Sequence, residues 1–367
     1  MHSPKFHKWL RSLIAFALVA GSLSAQVPKY SNEFLSIGIG ARALGMANSV
    51  TASVGDVTAG YWNPSGLNNL ASNAELGLMH AEYFAGIAKF DYGGFALRID
   101  ENSVAGLSVI RFGVDDIPNT LELIDSDGNI RYDRISKFSA ADYGFLFSYA
   151  RKSTIEGFQY GGNVKVIYRK IGDFANAYGF GFDVGARYTM GKWQFGATGR
   201  DITSTFNAWS FNTSELEEVF ALTGNELPEN SLELTMPRII IGAARKFEVI
   251  DKFGILAAMD ADITFDGKRH TLVRTPVFSI DPHLGVELDY NQVIFLRLGM
   301  GNVQIIPEID KSKSFDFQPT LGVGIKLKNF LLDYALTDIG DQSIALYSNV
   351  FSLRYTLNNR WFQPSNN

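Results

Sequence analysis

The chain has 367 residues, a formal net charge of −5 and no cysteine, which excludes disulfides, thiolate catalysis and cysteine-based metal sites. The mildly acidic balance offers no basic face for nucleic acid. A mean hydropathy near zero excludes a helical membrane bundle but not a membrane barrel, where lipid-facing and lumen-facing residues average out. Thirty-five Gly, 28 Phe and 15 Tyr suit strands with aromatic girdles better than helices.

Residues 1–25 read as a secretory signal peptide. Lys5, Lys8 and Arg11 form its basic region, Leu13–Ala20 its apolar run, and Leu23-Ser24-Ala25 a cleavage site before Gln26. The apolar run is shorter than the roughly 20 residues of a spanning helix. No cysteine follows, so no lipoprotein anchor is expected.

The next stretch, Ile37–Leu70, is rich in small residues and has neither strand alternation nor a long amphipathic period. Pro64 fixes its own φ and pushes Asn63 into an extended conformation, from which the Asn63 side chain can bond the backbone ahead. Gly66 frees the exit angle, and Asp56 is placed to cap a helical turn over Val57–Tyr61. Gly38-Ile39-Gly40 superficially suggests a nucleotide loop, but no strand precedes it and the third glycine is misplaced. We expect residues 26–72 to form a periplasmic arm and a close-packed hatch.

The pattern Ala41-Arg42-Ala43-Leu44-Gly45-Met46-Ala47, then Asp56, then Asn63-Pro64-Ser65-Gly66-Leu67, resembles the N-terminal signature of the PorV/PorQ family, a branch similar to the FadL hydrophobic-compound transporters. The resemblance implies an all-β protein, a transmembrane antiparallel β-barrel of about fourteen strands in the outer membrane of a Gram-negative bacterium. It also implies a hatch in the lumen, with Arg42, Gly45, Asp56, Asn63, Pro64 and Gly66 as its structural or gating residues.

From residue 73 to 357, alternation of period two recurs. Tyr178, Phe180, Phe182, Val184, Ala186 and Tyr188 share one face of a strand, and Gly179, Gly181, Asp183, Gly185 and Arg187 the other. Runs this long, with aromatics at their ends, fit a lipid-facing barrel rather than a soluble sandwich. About fourteen such runs are found by the alternation criterion. They begin near Ala74, Ala85, Ser103, Phe138, Phe158, Asn176, Lys192, Leu234, Lys252, Val277, Gln292, Ser314, Asn329 and Ala345. In Ala85–Ile99, Lys89 and Asp91 share a face with Phe95 and Leu97, so a bulge is expected at Gly93-Gly94. Connections alternate between short turns and a set holding the long loops Gly113–Lys137, Thr203–Glu233, Asp266–Pro276 and Gln304–Lys313. The final residues, 358–367, read as a tail.

In the first long loop a hairpin is expected around Asp127-Gly128. Asp125, Asp127 and Asn129 do not match a calcium loop, because the EF-hand glycine and glutamate are missing from their places. Ser214 and Glu217 have capping-box spacing ahead of a short helix bearing Leu216, Val219, Phe220 and Leu222. Asp260, Asp262 and Asp266 resemble a carboxylate cluster, but the first two are one face of a strand. His80, His270 and His283 show no ligand spacing, so no metal, cofactor or catalytic site is expected.

Lys165, Arg169, Asp183, Arg187, Asp260, Asp262, Arg297, Lys326, Asp333 and Arg354 all fall on the inward face, with both signs represented. A hatch would pair them, whereas a greasy conduit would present aliphatic and aromatic residues inward. This favours a plugged, non-enzymatic barrel. The PorV/PorQ resemblance implies an accessory of type IX protein secretion, contacting outer-membrane lipid and exported proteins or the translocon. The alternative is a FadL-like transporter of small hydrophobic molecules.

Overall fold

A computed structural model describes residues 32–357 except 126, 215–216, 218–219, 222–223, 268, 308–312 and 338–347. The signal peptide, the 358–367 tail and much of the helix expected near Ser214 lie outside the described residues. The strands are β1 (Ala74–Tyr83), β2 (Ala88–Arg98), β3 (Ser103–Asn119), β4 (Ser136–Lys152), β5 (Phe158–Ile171), β6 (Ala175–Met190), β7 (Trp193–Arg200), β8 (Phe206–Phe211) and β9 (Ser231–Leu234). They continue with β10 (Arg238–Ile250), β11 (Phe253–Thr264), β12 (Val273–Arg274), β13 (Ser279–Tyr290), β14 (Ile294–Pro307), β15 (Lys313–Leu327), β16 (Phe330–Thr337) and β17 (Ser348–Leu357).

All pairings are antiparallel. Leaving aside the short β8, β9 and β12, fourteen strands form a closed ring, with β7 beside β10 and β11 beside β13. Closure comes from β17 on β1, Ala74 opposite Leu357 and Glu82 opposite Asn349, which leaves no open edge. No described helix is long and apolar enough to cross a membrane, and the strands make the wall instead.

Alternation builds this wall because successive side chains of a strand point to opposite faces. On β6, Asp183 and Arg187 are buried inside, and Tyr178, Phe180, Val184 and Tyr188 are exposed outside. Outward aromatics ring both ends. Tyr143, Tyr168 and Tyr178 stack in sequence near one end. Trp193 on Phe195, Phe253 with Tyr290 and Phe330 with Tyr355 mark the other.

The bulge expected at Gly93-Gly94 does not form: β2 pairs with β1 and β3 in unbroken register. Lys89 and Asp91 face outward together with Phe95 and Leu97, and the buried Phe90 and Tyr92 face inward. The polarity of this strand inverts near its rim because inward aromatics meet apolar partners there. Register shifts occur instead at Val114/Ile117, Glu248/Ile250 and Gly301/Gln304. The expected loops are also shorter than read, since β3 and β14 run on to Asn119 and Pro307, and the 203–233 segment contributes β8 and β9.

Residues 32–72 precede the barrel and pack against its inward faces. Short helical turns form at Ala41–Leu44, Ala59–Trp62 and Pro64–Asn69, joined by compact turns. None is long enough to hold itself together in isolation, so the segment depends on its surroundings.

Candidate functional site in the barrel lumen

The lumen has two halves, and the N-terminal segment makes the first. Asn63 is extended, at φ −154° and ψ 103°, and its side-chain oxygen accepts bonds from the Ser65 N–H at 3.2 Å and the Ser65 hydroxyl at 2.6 Å. Its amide donates to the carbonyls of Thr51 and, on β6, Ala186, at 3.0 and 3.1 Å. One side chain therefore both shapes the turn at Pro64 and ties it to the wall. Asp56 holds the start of the turn over Val57–Tyr61: its carboxylate accepts from the Thr58 N–H at 2.9 Å and its carbonyl from the Ala59 N–H at 2.9 Å, while Thr58, the residue before the helix at Ala59–Trp62, adds no side-chain cap.

Glycine lets the segment approach the wall. A Cβ on Gly45 would lie 2.9 Å from the Gly322 Cα, and one on Gly299 2.4 Å from the Ala47 nitrogen. Gly66 is needed within the segment, where a Cβ would come within 2.6 Å of the Val54 carbonyl oxygen. Between the segment and β1, β2 and β17 remains a cavity of about 10 Å³, room for about one water.

Polar ties run around the ring. The Arg187 guanidinium donates to the Val54 carbonyl at 2.8 Å, and Asn163 to that of Gly60 at 2.7 Å. Arg200 donates to the Tyr61 carbonyl at 3.0 Å while stacking 4.3 Å from the Tyr61 ring centre. The Thr51 N–H donates to Asp260 at 2.8 Å. These contacts satisfy backbone groups that short helical turns leave open.

A chain of alternating charge carries the longest-range ties. Arg42 pairs with Glu287 at 2.9 Å, and Glu287 with Arg297 at 2.6 Å. Arg297 pairs with Asp333 at 2.7 Å, Asp333 lies 3.8 Å from Arg354, and Arg354 pairs with Asp56. The chain starts and ends in the segment and crosses four barrel residues. Glu75 flanks it, accepting from the Val57 N–H at 2.9 Å. Burial opposes ionisation of the Asp56 carboxyl, but Arg354, then Arg42 and Thr58, hold it below the usual carboxylate range.

Not every inward charge touches the segment. Lys165 is buried between Asp183 at 2.9 Å and Asp201 at 2.6 Å. This trio sits where β6 pairs with β7 only from Val184 onward and with β8 only up to Phe180, leaving Gly181–Asp183 outside both ladders. Arg169 pairs with Asp142 at 2.7 Å and lies 5.1 Å from the Trp209 ring centre. Asp262 lies 4.0 Å from His283, away from the segment, and Lys326 is exposed. Among the described residues no cluster of His, Asp and Glu is placed to hold a metal ion.

The second half of the lumen holds residues that sequence reading missed. Tyr83, Phe90 and Phe112 face inward edge to face, with ring centres 6.4 and 6.1 Å apart. Phe34, Leu35 and Ile37 of the segment belong to the same apolar cluster. The signal is present in the alternation of Phe90 and Tyr92 with Lys89 and Asp91, which an unbroken strand with inverted polarity explains without a bulge. Across the barrel, Asp262, Asp281 and His283 give a polar face.

The fold, without any ligand, is matched by solved structures along almost their full length. The P. putida toluene transporter TodX matches with a TM-score of 0.53 and 12% identity, over 88% of this chain and 99% of that one. The monoaromatic hydrocarbon channel CymD matches with a TM-score of 0.52 and 12% identity, over 88% and 98%. At these identities the likeness is one of fold. No protein-family model matches the sequence, and no curated protein matches it. These findings overturn the PorV/PorQ resemblance and the type IX secretion role taken from it: the matched barrels are a toluene transporter and a monoaromatic hydrocarbon channel. The small residues of the signature have a plainer cause, since Gly45 and Gly66 are required by close backbone packing inside a filled barrel. The names of the matched barrels describe transport of toluene and monoaromatic hydrocarbons.

Proposed function

We propose that the protein is an outer-membrane transporter of small hydrophobic molecules, with residues 32–72 as its hatch. One observation carries the reading. The apolar inward patch of Tyr83, Phe90 and Phe112 is continuous with Phe34, Leu35 and Ile37 of the segment, so a greasy surface reaches the element that blocks the lumen. The fold shared with toluene and monoaromatic hydrocarbon channels supports the same class of cargo. Arg42, Gly45, Asp56, Asn63, Pro64 and Gly66 hold the hatch in place, and the polar ties to the wall are contacts that water can replace when the hatch moves. Export through a cleaved signal at residues 1–25 fits this placement.

The test is uptake of labelled toluene by cells expressing the chain in a host of low outer-membrane permeability. Expression should accelerate uptake, and Phe90→Ser should reduce the gain while the barrel remains heat-modifiable on a gel. An assembled barrel that leaves toluene, alkane and fatty-acid entry at the host's background would sink the reading.

A further inference from the structure

The outward face of the wall carries a feature that transport does not use. Near the end marked by Tyr143, Tyr168 and Tyr178, a groove of about 520 Å³ runs across β3, β4 and β5. Arg111, Tyr143 and Tyr168 stand directly opposite one another on the three strands and form its floor and one side. Lys137 and Lys170 flank it above, and Phe145 closes it below. The depth comes from small outward residues: Ala141 and Ser139 sit where large ones would otherwise fill the row, and the Arg111 guanidinium lies over Gly113.

The lining is unbalanced in charge, with three cations against the single carboxylate of Asp173. The cations' present partners are exposed and loosely held. Arg111 lies 3.4 Å from Asp91 and 3.7 Å from Asp115, Lys170 3.4 Å from Asp173, and Lys137 3.1 Å from Asp116. Exposed pairs of this kind contribute little and exchange readily for a better anion. Below the groove the outward face turns apolar at Phe147, Val164 and Val166, so the cations lie where hydrocarbon gives way to headgroups.

We propose that this groove binds the phosphate-bearing headgroup of an outer-leaflet glycolipid. The Arg111 fork suits two phosphate oxygens, and Lys137 and Lys170 add point charges. The tyrosine faces offer flat surfaces to sugar rings, and Phe145 and Val166 meet the first methylenes of the acyl chains. A neutral or zwitterionic headgroup would leave the cations without a matching anion. The inference rests on the reading that this wall faces an outer membrane.

The experiment is native mass spectrometry of the full chain extracted from membranes. It compares the wild type with the combined Arg111→Gln, Lys137→Gln, Lys170→Gln variant. A control variant, Lys152→Gln, Lys192→Gln, Lys252→Gln, removes cations at the opposite end. Glycolipid retention should fall about tenfold or more in the groove variant, because charge-assisted contacts are lost, and stay unchanged in the control. Enzymatically dephosphorylated glycolipid should not be retained by the wild type, and inorganic phosphate should not displace the intact lipid at equal concentration. Equal retention by the groove variant, an equal loss in the control, or full displacement by inorganic phosphate overturns the proposal. Fractionation and toluene uptake are read on the same samples. A wild type found soluble sinks both readings, whereas a membrane-embedded, transport-competent chain with no bound glycolipid sinks the groove alone.

Discussion

The two halves of the lumen are built on opposite principles. Where residues 32–72 sit, the wall offers glycines for close approach and charged or amide side chains that bind the segment's backbone. Beyond it the wall offers Tyr83, Phe90 and Phe112 on one side and Asp262, Asp281 and His283 on the other. A buried polar contact fixes one geometry, because misplacing it leaves an unpaired group. An apolar surface accepts many geometries at similar energy. The first half is thus suited to holding one occupant in one place, and the second to admitting occupants of varied shape.

The sharpest way to break this contrast is Arg354→Met. It strips Asp56 and Asp333 of a shared cation, and an uncompensated buried charge costs about 3–5 kcal/mol. The segment should leave its place and single-channel conductance should rise well above background. Conductance unchanged in a normally assembled barrel would mean the charge chain does not seat the segment.

Phe90→Ala tests the other half. Its cavity costs about 3–5 kcal/mol locally, since the side chain is fully buried. Toluene uptake should drop while conductance stays at background. If conductance rises instead, the two halves are mechanically one.

Asn63→Ala removes a turn-shaping acceptor and two ties, a loss of about 1 kcal/mol for the turn and somewhat more for the stranded carbonyls. Planar-bilayer recordings should show brief openings at unchanged protein level. Loss of the protein from the membrane would show that the knot is needed for assembly rather than for sealing.

Acidification gives the smallest effect. Asp56 is held below the usual carboxylate range when seated, so its contribution is complete above its unseated pKa near 4 and fades as pH falls through the seated value. The part of the conductance set by Asp56 should therefore stay flat from neutrality to about pH 5, where a free Asp is still ionised, and rise only below that. The rise should vanish in Asp56→Asn, and its persistence there would assign it to another group.

The wall was legible in the sequence because the period of a strand is set by the backbone, and β5, β6 and β15 follow it without help from neighbours. Asn63 was legible for the same reason, since its turn bonds reach only to Ser65. What could not be read depends on the ring. Arg42 and Glu287 are 245 positions apart, and no local pattern says which strand faces which part of the segment. Lys165 reads as an inward charge, but its partner Asp201 lies just past the end of β7, and nothing local says that it turns back to Lys165. The inward role of Phe90 is not legible because its apolar ring partners, Tyr83 and Phe112, come from the neighbouring strands β1 and β3. The family signature misled through chemistry shared by any closely packed lumen: small residues and an Asn-Pro turn report the packing, not the partner.

The alternating chain from Arg42 through Glu287, Arg297, Asp333 and Arg354 to Asp56 has a consequence for electroneutrality. Its two ends leave with the segment, one cation and one anion, and the four residues left on the wall are two of each sign. Lifting the hatch through these ties thus moves no net charge and requires no counterion to enter or leave. Their rupture should be nearly indifferent to voltage across the bilayer and should depend on salt only through screening. A channel opened by an electric field needs displaced charge, and these ties supply none; on the proposed transport reading, the push of an arriving molecule is what breaks them.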